Sequence, residues 1–308
     1  MPDTRDLELE GPPTPSPRWD QEIARHALDE LFTAARRYRY GTDFGNLLRF
    51  IGRFRFYSPF NAMLVHVQMQ GASFVAPAYR WYDEFGRRIR AGARPLVILQ
   101  PMGPVMFVFD VSDTEPEDDA PPLPREVVHP FEVRHGSVGD TLPRTVQNAM
   151  RDGVRVAEHD AGSQSAGQIR VTSPGRSLRV LAKQRPEKTY VDVPLRYELL
   201  LNGNHEAEEK YATLAHELGH LYCGHLGTPD QKWWPDRRGL PHELREFEAE
   251  SVCYLVCTRL GIDSPSEEYL GSFFKTSAEV PDISLECVLK AAGLIEQMGN
   301  SRLGLRKA

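Results

Sequence analysis

His216-Glu217-Leu218-Gly219-His220 sits inside an otherwise uncharged, apolar run from Tyr211 to Tyr222 with helical spacing. Residues four apart on a helix share a face, so His216 and His220 can offer ring nitrogens to one ion. Glu217 projects beside them, where it can take a proton from a water held at that ion. In such an apolar run, two histidines and a glutamate without partners carry a desolvation cost on the order of several kcal/mol, which a metal removes. The competing reading is a helix with two satisfied histidines and a solvated Glu217.

A catalytic zinc takes three protein ligands and leaves a fourth position for water, so two histidines are not enough. A metzincin continuation needs Gly at 223 and His at 226, and this chain has Cys223 and Leu226. Downstream, the residues from Pro241 to Leu260 read as a helix that stops at Gly261, and positions 246, 250, 253 and 257 form one stripe of Glu, Glu, Cys and Cys. Acids sharing a face with small apolar residues call for a cation or hydrogen-bond partners. Glu246 is therefore the expected third ligand, and Glu250 is placed to orient a ligand histidine through its free ring nitrogen. Glu248 lies off the stripe and reads as a solvated acid. His225, Cys223 and His242 compete for the third ligand position.

The segment Leu214 to Leu221 followed by Glu246-Phe247-Glu248-Ala249-Glu250 resembles the ImmA/IrrE family of zinc metallopeptidases, whose pattern is H-E-L-x-H and then E-x-E-A. The resemblance runs over roughly residues 190 to 298. It implies a zincin-like (gluzincin) metallopeptidase domain, a Zn2+ cofactor, a protein or peptide substrate, and Glu246 as the third ligand. The family often has Asn where this chain has Glu250, so the role of Glu250 rests on the face geometry alone.

The chain has 308 residues, 41 % of them hydrophobic and 26 % charged, enough for two modest domains. Its apolar runs are too short to span a bilayer, and Met1-Pro2-Asp3-Thr4-Arg5-Asp6 is no signal peptide, so no membrane partner and a cytoplasmic location are expected. Cys223, Cys253, Cys257 and Cys287 have no framework spacing and read as reduced core thiols. A net charge of −6 argues against the whole chain binding nucleic acid. Residues 20–110, however, hold twelve Arg against eight Asp or Glu, and every Lys or Arg before Lys183 is an arginine. Arginine suits phosphate recognition, although a GC-rich genome gives the same bias.

Along the chain, the proline-rich residues 1–18 should form a disordered tail, and apolar spacing predicts a helix from Trp19 to about Tyr40 and another from Asn61 to Met69. Leu96–Leu99 and Val105–Phe109 read as a hairpin. Residues 112–125 combine five acids with Pro116, Pro121, Pro122 and Pro124, a composition that should self-repel and not pair, and so serve as a linker. Thr141–Met150 reads as a helix. Short strands follow from Gly153 to Val193, broken at Gly162–Gly167 and at Ser173–Gly175. Tyr197–Leu201 is the last strand before the His216 helix, and its neighbourhood is a candidate edge for an extended substrate. The expected architecture is α+β with two domains, a small N-terminal one over 19–111 and a metallopeptidase domain over 126–308.

Phe54-Arg55-Phe56-Tyr57-Ser58-Pro59-Phe60-Asn61, Trp81 and Gly86-Arg87-Arg88-Ile89-Arg90-Ala91-Gly92 resemble the N-terminal single-stranded-DNA-binding domain of ArdC-type antirestriction proteins over about residues 45–110, although this stretch has no lysine. Aromatic faces can stack on bases and arginines can hold phosphates, which makes Arg53, Phe54, Arg55, Phe56, Tyr57, Trp81, Arg87 and Arg88 candidate nucleic-acid contacts. Core packing explains many of the same aromatics. The expected chemistry is peptide-bond hydrolysis with Glu217 as general base, and Tyr222, His242 and Tyr254 are candidate oxyanion donors. The alternative is a non-proteolytic, single-stranded-DNA-binding, antirestriction-like protein with a structural zinc site.

Overall fold

The structure, a computed structural model, describes residue 38 and residues 41–100, 103–128, 136–160, 167–184, 186–274 and 279–306. The tail over 1–18, nearly all of the helix expected from Trp19 to Tyr40, and most of the break between Gly162 and Gly167 lie outside the described residues. The chain alternates helices and short strands. The first part holds α1 (Gly41–Arg53), α2 (Pro59–Gln68), β1 (Val75–Ala76), α3 (Ala78–Phe85), β2 (Arg87–Ile89), β3 (Leu96–Gln100), β4 (Gly103–Asp110), β5 (Thr114–Pro116) and α4 (Arg125–Val128). The rest holds α5 (Thr141–Met150), β6 (Val154–His159), β7 (Gly167–Val171), β8 (Ser177–Lys183), β9 (Thr189–Pro194), β10 (Tyr197–Asn202), α6 (Ala207–Tyr222), α7 (His242–Leu260), α8 (Pro265–Phe274) and α9 (Leu285–Asn300).

The C-terminal sheet has the order β6-β10-β7, with β10 parallel to β6 and antiparallel to β7. The run Tyr197–Asn202 is buried at nearly every position, as a central strand must be when both its neighbours are strands. β10 is thus closed on both sides, and an edge in its neighbourhood falls on a strand beside it. Among the described residues the strand with a free side next to α6 is β7. Glu198 on β10 takes Arg155 of β6 and Arg170 of β7, so one carboxylate ties all three strands.

Two helices carry the residues singled out by the sequence, and they pack directly on each other. A Cβ on Gly219 of α6 would lie 3.2 Å from Cβ of Val252 and 3.3 Å from Cα of Ala249 on α7, so the bare glycine lets the two backbones approach. At its C-terminus α7 stops where Gly261 turns left-handed (φ 85°) and its N–H returns to the carbonyls of Cys257 and Thr258. All four cysteines are free, with Cys223, Cys253 and Cys257 buried.

The N-terminal helices share the main core. Phe44, Leu47, Leu48 and Ile51 of α1 and Met63 and Leu64 of α2 belong to the same buried cluster as Leu214, Leu218, Phe247 and Leu255. Arg259, 7 % exposed, joins the two parts: its guanidinium donates to the carbonyls of Ile51 (2.7 Å), Phe54 (2.9 Å) and Tyr57 (2.6 Å) and to Glu296. It thereby satisfies carbonyls left open at the end of α1 and in the turn that leads to α2. A second, small core gathers Phe74, Ala76, Trp81, Phe85 and Val127.

The acidic stretch expected not to pair forms a strand. Thr114–Pro116 runs antiparallel to Arg87–Ile89, and Arg88 meets Glu115 at 2.8 Å and Glu117 at 3.8 Å. The repulsion among its acids is relieved by an arginine, Arg88, supplied from another part of the chain.

Candidate metal centre

His216, Glu217 and His220 stand on the last turns of α6, and Glu246 and Glu250 on the first half of α7. The Nε2 atoms of His216 and His220 lie 3.1 Å apart. The carboxylate of Glu246 reaches across from α7, with Oε2 3.6 Å from His216 Nε2 and Oε1 3.4 Å from His220 Nε2. The structure thus brings the three expected ligands together; donor atoms of all three fall within 4.8 Å of one another. A tetrahedral ion bound at about 2.0–2.1 Å holds its ligand atoms roughly 3.3–3.4 Å apart, so the observed spacing fits a metal of zinc's kind. Each of the three side chains keeps some exposure, between 14 % and 30 %, which leaves room for water and a substrate at a fourth position.

The electrostatics of the cluster call for a cation. Burial opposes a charge on His216, but the carboxylates of Glu246 and Glu250 outweigh it and push its pKa up to about 10. His216 and His220 hold Glu246 well below the usual carboxylate range. Burial pushes His220 down and Glu217 up. Three carboxylates around two imidazoles, partly withdrawn from water, are a negative site that a divalent ion would neutralise.

Glu217 is anchored from the sheet: the backbone N–H of Ile169 on β7 donates to its Oε2 over 2.9 Å. Glu250 places Oε1 3.5 Å from His216 Nδ1, on the side of the ring away from Glu246. The stripe that suggested these acids continues into the core, where Cys253 donates to the carbonyl of Ala212 and lies 3.9 Å from Cys257.

Other residues depart from expectation. Glu248, read as solvated, is completely buried and bonded to His225, Arg237 and the N–H of Ser284. Of the expected oxyanion donors, Tyr222 is buried with its hydroxyl on Asp152 at 2.9 Å, and Tyr254 is buried with its ring against Phe274. Neither is free to meet a substrate. His242 remains, 3.4 Å from Glu246 and well exposed. Tyr269 of α8 is a partly exposed tyrosine whose pKa is raised by burial and then by the carboxylates of Glu250, Glu246 and Glu243.

The N-terminal candidates separate into buried and exposed groups. Phe54 and Trp81 are enclosed at 1 % and 0 % exposure, and Trp81 donates its indole N–H to Phe109 O. A base cannot stack on a ring without an open face, so both are corrected to core residues. Arg55 donates to Thr258 O, Tyr57 to Val75 O, and Arg87 to the hydroxyl and carbonyl of Thr114. Arg53, Arg88 and Phe56 are exposed, Arg88 in its pairs with Glu115 and Glu117. The tyrosines that flank Arg80 and Trp81, Tyr79 and Tyr82, stand on one face of α3 at 64 % exposure each.

Comparison with known proteins gives two similarities. Among solved structures the chain is similar to the antirestriction ArdC protein from plasmid R388 in its metal-free crystal form. The identity is 15 %, over 80 % of this chain and 83 % of that one, with a TM-score of 0.31. No curated protein matches. Among the described residues no helix is long and apolar enough to cross a membrane. Residues 149–256 match the peptidase M78 family model, the IrrE N-terminal-like domain, a metallopeptidase-like span that holds the whole His-Glu cluster.

Proposed function

We propose that the chain is a zinc-dependent endopeptidase of gluzincin type, with His216, His220 and Glu246 as metal ligands and Glu217 as general base. The observation that carries this reading is the convergence of His216, His220 and Glu246 from two helices at the spacing of a tetrahedral ion. A bound zinc supplies a Lewis acid that makes water a nucleophile near neutral pH. Glu217, held by the N–H of Ile169, takes a proton from the attacking water as its oxygen bonds to the scissile carbonyl carbon. When the C–N bond breaks, Glu217 passes that proton to the leaving nitrogen. Glu250 steadies His216 through Nδ1, and His242, exposed beside Glu246, is the candidate donor for the developing oxyanion. The free side of β7 offers backbone groups to an extended peptide of a protein substrate.

The proposed division keeps a zincin-like part over 126–308 and an N-terminal α+β part over 19–111. The two parts share their packing: α1 and α2 lie in the main core with α6 and α7, and Val127 helps close the small core around Trp81. The test of the reading is metal analysis: the purified chain should hold about one zinc. Glu246→Ala should lose it, and cleavage of a mixed peptide library with it. Stoichiometric zinc in Glu246→Ala would move the third ligand elsewhere.

A second reading is favoured by the rings of Tyr79 and Tyr82, exposed together on α3 in the arginine-rich part of the chain. In it, that surface takes single-stranded nucleic acid, and the zinc site is structural.

A further inference from the structure

His220 offers Nε2 to the candidate metal position and turns its other nitrogen inward. Nδ1 lies 2.9 Å from Nδ1 of His225. On the far side of that second ring, Nε2 of His225 lies 2.8 Å from Oε2 of Glu248. The chain ends in a closed set of donors: Arg237 reaches Oε2 at 2.6 Å and Oε1 at 2.7 Å, and the N–H of Ser284 reaches Oε1 at 2.7 Å. His225 is 3 % exposed and Glu248 is fully enclosed.

This geometry leaves one arrangement of protons. An ionised carboxylate can only accept, so the proton between His225 and Glu248 sits on Nε2 of His225. Arg237 already balances the charge of Glu248, so Glu248 asks only one hydrogen, the one on Nε2, of the enclosed His225. Its Nδ1 is then a bare acceptor. The proton of the His220–His225 contact therefore belongs to Nδ1 of His220, and the lone pair of His220 is left on Nε2, facing His216 and Glu246. Cys223, His225 and Glu248 also lie close enough to suggest a buried metal site of their own. Every oxygen and nitrogen of the His225–Glu248 pair is taken up in the bonds just named, which argues against it.

We propose that His225 and Glu248 form a positioning relay that fixes the tautomer and ring plane of His220, holding it ready as a metal ligand. The proposal rests on the metal reading above and extends it to residues beyond the ligands. His216 is steadied by one carboxylate, Glu250, whereas His220 is steadied by a carboxylate acting through a second imidazole. Outer partners of this kind are commonly worth about 10- to 100-fold in metal affinity.

Two measurements on the full chain test it. In metal-stripped wild-type protein, long-range proton–nitrogen spectra of the histidine rings should show His220 protonated at Nδ1 and His225 at Nε2. The opposite tautomer at His220 would overturn the proposal without any variant. Zinc affinity is then measured by competition with a chromogenic chelator, with circular dichroism to verify folding. His225→Phe keeps a ring but removes the acceptor, and should weaken zinc by about 10- to 100-fold. His225→Asn places an amide oxygen where Nδ1 stood and should recover most of that loss. Wild-type affinity in His225→Phe, or an equal loss in both variants, would reduce the contact to packing. His216→Ala separates the levels: if it loses zinc while His225→Phe does not, only the relay fails, and if it keeps zinc the metal reading itself fails.

Discussion

The N–H of Ile169 donates to Oε2 of Glu217, so a side chain on α6 is aimed by the backbone of the sheet's edge strand. The bond joins the two things a peptidase must align, a base and the strand along which a peptide would lie. It also fixes one carboxylate oxygen and leaves the other for water. Glu217→Gln should preserve this anchor, because an amide oxygen can accept from Ile169 equally well. The variant should bind about one zinc and lose turnover by roughly 10²- to 10⁴-fold, the usual worth of a general base. The check is zinc content alongside cleavage of a mixed peptide library, and unchanged cleavage would remove Glu217 from the mechanism.

What the sequence made legible was local. His216 and His220 are one turn apart, and Glu246, Glu250, Cys253 and Cys257 recur on one helical stripe, so period alone put each set on a face. Residues whose state depends on distant partners were not legible. Glu248 looks like any surface acid until Arg237, His225 and Ser284 arrive from positions 11, 23 and 36 residues away. The acids of 112–125 look unpaired until Arg88 is brought to Glu115 across 27 residues. The place of β10 in its sheet is likewise a property of β6 and β7, not of its own residues. Phe54 and Trp81 show the same limit from the other side, since an aromatic beside arginines reads alike in a core and on a binding face.

Arg259 ties α7, which carries Glu246 and Glu250, to the end of α1 and the turn after it through three carbonyls. Arg259→Met keeps most of the volume but strands those carbonyls and Glu296. Breaking a buried charged network of this kind costs about 3–5 kcal/mol. Urea unfolding should show an unfolding free energy lower by that amount, and a loss under about 1 kcal/mol would mean the contact has the weight of a surface pair.

Glu198 gives a pH dependence with a definite sign. Arg155 first, and Arg170 with it, hold its carboxylate at about 2, below the roughly 4.3 of an unfolded glutamate. A depressed carboxylate stabilises the fold fully above the unfolded value and loses that contribution as the pH falls from about 4.3 toward about 2. Glu198→Gln should lower the thermal midpoint at neutral pH and flatten its fall across that acid window, relative to wild type. A wild-type slope in the variant would show that the three-strand tie contributes nothing to acid stability.

The nucleic-acid reading can be decided on the intact chain, since the N-terminal helices share the main core. The exposed rings of Tyr79 and Tyr82, with Phe56 nearby in sequence to the exposed Arg53, are the surface to test. Titration with a labelled single-stranded oligonucleotide should show affinity that falls as salt rises from about 50 mM, because phosphate contacts release counterions. Tyr79→Ala with Tyr82→Ala should weaken binding by roughly 1–3 kcal/mol per stacked base while leaving the salt slope alone. Arg53→Ala should flatten the slope by about one phosphate contact. Arg88→Ala should do less, since Glu115 already engages that guanidinium. Phe54→Ala and Trp81→Ala should show up as lost stability, by about 3–5 kcal/mol, because both rings are enclosed. An absence of binding at about 50 mM salt would leave α3 as a protein-contact or scaffolding surface. The metal centre would be untouched by that result, because His216, Glu217, His220 and Glu246 all lie on α6 and α7.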